Sequence, residues 1–492
     1  MSRSARTKSA AGGLAQRRAQ GSERTGGRHQ ISVWEDDPET GVQAIRPLPD
    51  PSKGPLAYDF PERAPSPGGK AGTPSFRYWT AAEALRRGAD FWATRVPSGR
   101  WQVGASLPVL LDEGSDLNAY YDRRALNFFH GPAPAAPSRI AYSGESPDVV
   151  CHEMGHAILD AIKPQLWGAA SHEAAAFHES FGDMSAILSA LQLQSLRTAI
   201  LQDTGGNLYR NSRLSRLAEQ LGSAIRAQQP DAVDSDCLRN AVNSFTYEDP
   251  IELPQMAPAS QLSSEPHSFS RVFTGAFFES LAGMLHAKAA DAGSPSEQEL
   301  LDVSQEMGDI LVAGIQQAPV VSDFYAQVAA GMVQASRDKN SAYPPIFKGV
   351  FVRRSILSLQ AATTVEALHR SVAAVTSAVA AAAPSEPLVT VAIPAAHYGL
   401  EEPLLVETPS HPRQFLAASA APDANSLDPA SSVTAARAFV DDLFRRGRVD
   451  YHDIGRPEAR LEHGHHLRTH ELVREAGAVR LRRRLFDCGI KH

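Results

Sequence analysis

His152-Glu153-Met154-Gly155-His156 sets two imidazoles four residues apart, with a carboxylate directly after the first. On a helix, side chains at i and i+4 share a face, so both rings can reach one ion. Neutral imidazole is a good ligand for Zn²⁺, at about 2.0–2.1 Å. Glu153 would then lie beside the ion, where a carboxylate can take a proton from a bound water. Two histidines on a solvent-facing helix would give the same spacing. The flanking Val149, Val150, Ala157, Ile158 and Leu159 argue instead for a buried helix. Polar side chains on such a helix need partners, and an ion supplies them.

A third ligand must come from elsewhere in the chain. The stretch Phe177-His178-Glu179-Ser180-Phe181-Gly182-Asp183 places two acids at i and i+4 on a second amphipathic helix. Glu179 can complete a two-histidine, one-carboxylate site that leaves a position open for water. Asp183 is then placed to hydrogen-bond a ligand imidazole and fix its tautomer. Glu173 is the rival ligand, but no acid follows it one turn later on its own face. His172 and His178 flank these acids and read as exposed residues, with His178 the one closer to a supporting place.

This pattern resembles the thermolysin-like metallopeptidases, a gluzincin family: HExxH, an interval, then a helix with Glu and a following Asp. His152, Glu153, His156, Glu179 and Asp183 occupy those places. The interval is slightly longer than the family's, which a small insertion near Gly168–Ala174 accommodates. Asn118-Ala119-Tyr120-Tyr121 resembles the family's edge strand, where the Asn side chain and the Ala carbonyl hold the substrate backbone. Strand addition of this kind accepts many peptide sequences. Arg239 resembles the arginine that supports a substrate carbonyl, and His267 the histidine that stabilises the tetrahedral intermediate. Two departures stand out. Trp167 occupies the place of a family Tyr, and its indole N–H can only donate. The acidic residues of the family's calcium sites are not evident after Asp183, which implies no tight calcium requirement.

The resemblance covers roughly residues 75–355 and implies an α+β fold of two lobes around a cleft. It implies a zinc endopeptidase with Glu153 as general base and a peptide or protein as substrate. Two other readings stay open: a zinc-bearing module that binds peptides without cleaving them, and a gluzincin aminopeptidase. The second would use Asp112, Glu113 or Asp116 to capture a free amine.

The elements that must carry these residues follow from periodicity. Residues 1–74 are rich in Pro, Gly and charge and read as a disordered or extended arm. Residues 75–157 form a strand-bearing lobe that ends in the HExxH helix, and 158–383 form a helical lobe. Its expected helices include LSRLAEQLGSAIRA, FSRVFTGAFFESLAGMLHAK, EQELLDVSQEMGDILVAGI and an Ala-rich run from about Leu359 to Ala383. Residues 384–492 form a small appended α+β module that contains a hairpin in HELVREAGAVRLRRRLF. The run from Glu462 to His470 holds four histidines, but nothing closes a second metal site around them, so it reads as a solvated loop.

Composition narrows the partners. A net charge of -7 over 492 residues gives no basic field for nucleic acid. No apolar run reaches membrane-spanning length and no signal-peptide core opens the chain, so the expected location is cytoplasmic. Export by a route without a sequence signal remains open. The three cysteines, Cys151, Cys237 and Cys488, are far apart and odd in number, which argues against a disulfide framework. They read as ordinary buried or free thiols, with Cys151 pointing away from the ion.

Overall fold

The computed structural model describes residues 30–133, 140–290, 293–363, 388–409, 432–451, 454 and 468–489. It is a mixed α+β protein. The helices are α1 (Pro74–Trp92), α2 (Pro147–Ile162), α3 (His172–Ala190), α4 (Gln194–Thr204), α5 (Glu219–Arg226), α6 (Pro266–Lys288), α7 (Glu297–Gln317), α8 (Phe324–Ser336), α9 (Tyr343–Arg353) and α10 (Ser432–Arg445). Their starts follow local chemistry. Thr73, Ser146, Ser171 and Glu265 cap α1, α2, α3 and α6 by accepting a first-turn amide, and Ser296 and Glu299 form a reciprocal capping box on α7.

Helix α3 is the axis of the molecule. Every residue from His172 to Ser189 is buried, so its polar groups must find partners inside the protein. It packs between α2 and α6. Its approach to α2 depends on two glycines. A Cβ on Gly155 would lie 2.8 Å from Gly182 Cα, and one on Gly182 would lie 2.5 Å from a ring carbon of His152.

Among the described residues the strands form five small sheets. One sheet runs in the order Phe486–Asp487, Ala119–Tyr121, Leu126–Phe128, Ser106–Leu110, Ala57–Asp59. The first two strands pair antiparallel, as do the second and third, and the remaining pairs are parallel. A second sheet holds Val389–Ile393, Leu404–Thr408, Ala478–Arg483, His470–Glu475 and Val449–Asp450 in that order. Helix α10 covers it with Ala436, Phe439, Val440 and Leu443, and Ala170 and Ala175 join the same core from the region of α3.

Three expectations need correction. Residues from Gln30 onward are not a loose arm: Gln30–Trp34 and Gln43–Pro47 form a hairpin. Ile31 and Val33 are buried in the main core, and the Trp34 ring meets Phe76 of α1 edge-on. The alternation in QISVW outweighs the Pro and Gly around it. Residues 1–29 lie outside the described residues. The stretch expected as an appended module also does not stay together, because Phe486–Asp487 leaves it to join the sheet that holds Ala119–Tyr121. The helix expected over LSRLAEQLGSAIRA begins only at Glu219. Ala218, at φ 51°, interrupts it, and Arg216–Leu217 pairs instead with Arg239–Asn240. The Ala-rich run lies outside the described residues beyond Thr363, as does the His-rich run except at Arg468, Thr469 and His470. Among the described residues no helix is long and apolar enough to cross a membrane.

Candidate metal centre

Two helices bring three donors together. A ring nitrogen of His152, one of His156 and a carboxylate oxygen of Glu179 all lie within 4.8 Å of one another. Nε2 of His152 is 3.4 Å from one Glu179 oxygen, and Nε2 of His156 is 3.8 Å from the other. All three residues are buried. His152 Nε2, His156 Nε2 and Glu179 Oε2 have no hydrogen-bond partner. Orphaned buried polar atoms cost about 1–3 kcal/mol each. Three of them converging on one point is what a cation would relieve. Two imidazoles and a carboxylate form a donor set that suits Zn²⁺.

Supporting groups surround this point. His152 Nδ1 is 3.0 Å from Asp183 Oδ1. Asp183 also receives Arg239, with NH2 at 2.8 Å from Oδ1 and Nε at 3.1 Å from Oδ2. Burial opposes ionisation of Asp183, but Arg239 and His152 outweigh it and hold the carboxyl well below its ordinary range. Burial works against a proton on His152, yet its bond to Asp183 and the nearby Glu179 carboxylate raise it to about 9. His156 has no such carboxylate bond, and burial keeps it neutral, far below its ordinary value. Burial lifts Glu153 to about 8, against the pull of His152 and with help from the charge of Glu179.

His267 reaches the same space from the first turn of α6. Its Nε2 is 3.3 Å from Glu179 Oε2 and contacts the carbonyl oxygen of Asp487, while Nδ1 is 2.7 Å from Glu265. Burial disfavours its charge, but the carboxylates of Glu179 and Glu265 raise it to about 10. Ala119 opens the strand next to the edge strand Phe486–Asp487, and Asn118 directly precedes it. Asn118 Oδ1 accepts from Gly489 N at 2.7 Å, and the Ala119 carbonyl accepts from Cys488 N at 2.9 Å.

Several side chains are not where the sequence led. Glu173 lies apart from the donors. It accepts from Tyr247 Oη at 2.6 Å and from Tyr325 N at 2.7 Å. His172 and His178, expected at the surface, are both buried because α3 is enclosed on all sides. His172 bonds Asp442 at 2.8 Å, and His178 stacks on Phe486 with ring centres 4.0 Å apart. Arg239 gives Nε and NH2 to Asp183, which orients that carboxylate, while its NH1 is buried without a hydrogen-bond partner. Trp167 meets Tyr121 and Phe486 edge-on and receives Arg123 over its ring, which makes it a wall of the site.

The residues that sequence reasoning missed are Phe486, Asp487, Cys488 and Gly489. Cys488 Sγ is 2.6 Å from Glu153 Oε1. The two residues are 335 apart in the chain, and no local spacing announces the contact. Beyond this segment a cavity of about 910 Å³ opens between Tyr120, Trp167, Glu407, Arg482 and Arg484. No known family model and no curated protein matches the chain.

Proposed function

We propose that this chain is a zinc-dependent endopeptidase of thermolysin-like, two-lobed architecture, with its cleft between the strands and the helices. The observation that carries the reading is the convergence of His152 Nε2, His156 Nε2 and Glu179 Oε2, buried and without hydrogen-bond partners, beside the buried carboxylate of Glu153. Bound there, zinc supplies a water of lowered pKa and polarises the carbonyl under attack. The chain's own residues do the rest. Glu153, next in sequence to a ligand, takes the water's proton and later passes it to the leaving amine. His267 Nε2 donates to the oxygen on which negative charge develops. The Ala119 carbonyl and Asn118 Oδ1 accept the N–H groups of an extended substrate strand. Asp183 holds the His152 ring so that Nε2 faces the ion, and Arg239 holds Asp183.

An aminopeptidase would need free acids beside Asn118. Asp112 is already paired with His130 at 2.6 Å, which favours the endopeptidase. Glu153→Gln is the test. Made in the Cys488→Ala background described below, it should bind zinc as that background does and lose at least about 10²-fold in hydrolysis of an internally quenched peptide. Unchanged turnover would overturn the assignment. A parent that binds zinc and cleaves no peptide, even with its cleft cleared as described below, would leave the binding-module reading in its place.

A further inference from the structure

The segment Phe486–Gly489 lies along the strand Ala119–Tyr121 in the manner of a substrate. Phe486 is in register with Tyr121 and Asp487 with Tyr120, antiparallel. The amides of Cys488 and Gly489 bond the Ala119 carbonyl and Asn118 Oδ1, and the Asp487 carbonyl contacts His267 Nε2. The groups assigned to a substrate backbone are therefore all engaged by this chain. Side chains fix the segment further. Phe486 stacks on His178 and on His156, at 4.0 and 5.1 Å between ring centres, with the Arg483 guanidinium 4.1 Å from its own ring centre. The Asp487 carboxylate accepts from Arg448 at 2.6 and 2.8 Å. Gly489 has no room for a side chain, since a Cβ would meet Asn118 Oδ1 at 2.7 Å.

This arrangement brings a thiol beside the ion site, in a group that shares His152 with the three donors. Cys488 is 1% exposed, and its Sγ, a Glu153 carboxylate oxygen and a His152 ring nitrogen lie within 4.8 Å of one another. Independently of the strand pairing, the unpaired donors of His152, His156 and Glu179 mark where an ion belongs.

We infer that Phe486–Gly489 is a built-in inhibitor and that Cys488 is the fourth ligand of the metal, in the position a hydrolase must leave open. The inference rests on the zinc-peptidase reading above. Thiolate is a strong zinc ligand and displaces water. Ligation exchanges the S–H bond for an S–metal bond, and the proton passes to the Glu153 carboxylate 2.6 Å away. The position that the nucleophilic water needs is then filled. Held in the same chain, the segment has an effective concentration of about millimolar or more, so substrates at micromolar levels do not displace it.

The test loads full-length protein with Co²⁺ and reads the near-ultraviolet charge-transfer band of a thiolate–cobalt bond, beside hydrolysis of a quenched peptide by the zinc form. The band is expected in the parent and absent in Cys488→Ala. Cys488→Ala and Arg448→Ala, which frees Asp487 without touching the ion site, should each hydrolyse the peptide about tenfold faster or more. Cobalt bound without the band would overturn the inference and leave the metal site standing. No cobalt bound by either protein would remove the site itself. A band with no gain of activity in either variant would sink the inhibitory role, and so would cleavage between Asp487 and Cys488 seen by mass spectrometry.

Discussion

Asp183 serves a ligand and a cation at once, which makes it the residue whose loss reports most about the site. Its Oδ1 lies 3.0 Å from His152 Nδ1 and 2.8 Å from Arg239 NH2. An N–H at Nδ1 leaves the Nε2 lone pair for the ion, so Asp183 selects the tautomer that can bind metal. Asp183→Asn should raise the zinc dissociation constant about 10–100-fold. Because Arg239 would then be a buried cation without its partner, unfolding stability should also fall by about 3–5 kcal/mol. Chelator competition and denaturant titration measure the two effects separately. Unchanged zinc affinity would mean that the helix alone orients His152. That His152, His156, Glu179 and Asp183 come together was legible in the sequence, because spacings of four on helices encode a shared face. Cys488 was not legible, since its place depends on a strand pairing 335 residues from Glu153. His178 was misread because the sequence of α3 does not say that the helix is covered on every side.

At the scale of elements, the ligands meet because two helices touch along a line of small residues. Gly155 of α2 and Gly182 of α3 face each other, and an added Cβ on Gly182 would come within 2.5–2.7 Å of three His152 ring atoms. That approach is far inside van der Waals contact, so Gly182→Ala must push the imidazole off its line to Glu179 or part the helices. A displacement of the ring by even a fraction of an ångström should weaken zinc binding about tenfold or more, while the helices themselves still form. Zinc competition against a fluorescent chelator, with circular dichroism as the control for folding, checks this. Full zinc affinity in the variant would show that the contact has slack. Both helices were readable from periodicity and from Ser146 and Ser171 as caps. Their close crossing was not, because a glycine in a helical pattern signals either a weak helix or a near neighbour, and only the partner decides. The same limit explains the hairpin at Gln30–Trp34. Its apolar side chains have meaning only against α1, and the surrounding Pro and Gly suggested a tail.

Across the whole molecule, the beginning of the described chain is tied to α2 through buried acids. Asp37 accepts from Ser146 Oγ, the cap of α2, at 2.7 Å and from Gln220 N of α5 at 2.8 Å. Asp148, in the first turn of α2, accepts from Ala218 N at 3.2 Å. Asp36 lies among them, 4% exposed, with Oδ2 unpaired. Burial, and then the charge of Asp37, raises Asp36 from 3.8 to about 7. Burial raises Asp37 to about 6, and burial with both neighbours raises Asp148 well above its usual range. The folded protein therefore keeps protons that the unfolded chain has already released above pH 3.8. Stability should fall as pH climbs from about 4 to about 7, and the loss is complete once the folded state has also ionised. Asp36→Asn removes one charge from the cluster and relieves its neighbours. At pH 8 its unfolding midpoint should exceed the parent's by about 3 °C or more, and the gap should narrow toward pH 5, as differential scanning calorimetry at the two pH values would read. The opposite sign, a variant less stable at pH 8 whose parent is further stabilised by added Ca²⁺, would mean that these carboxylates balance a bound cation instead of repelling one another.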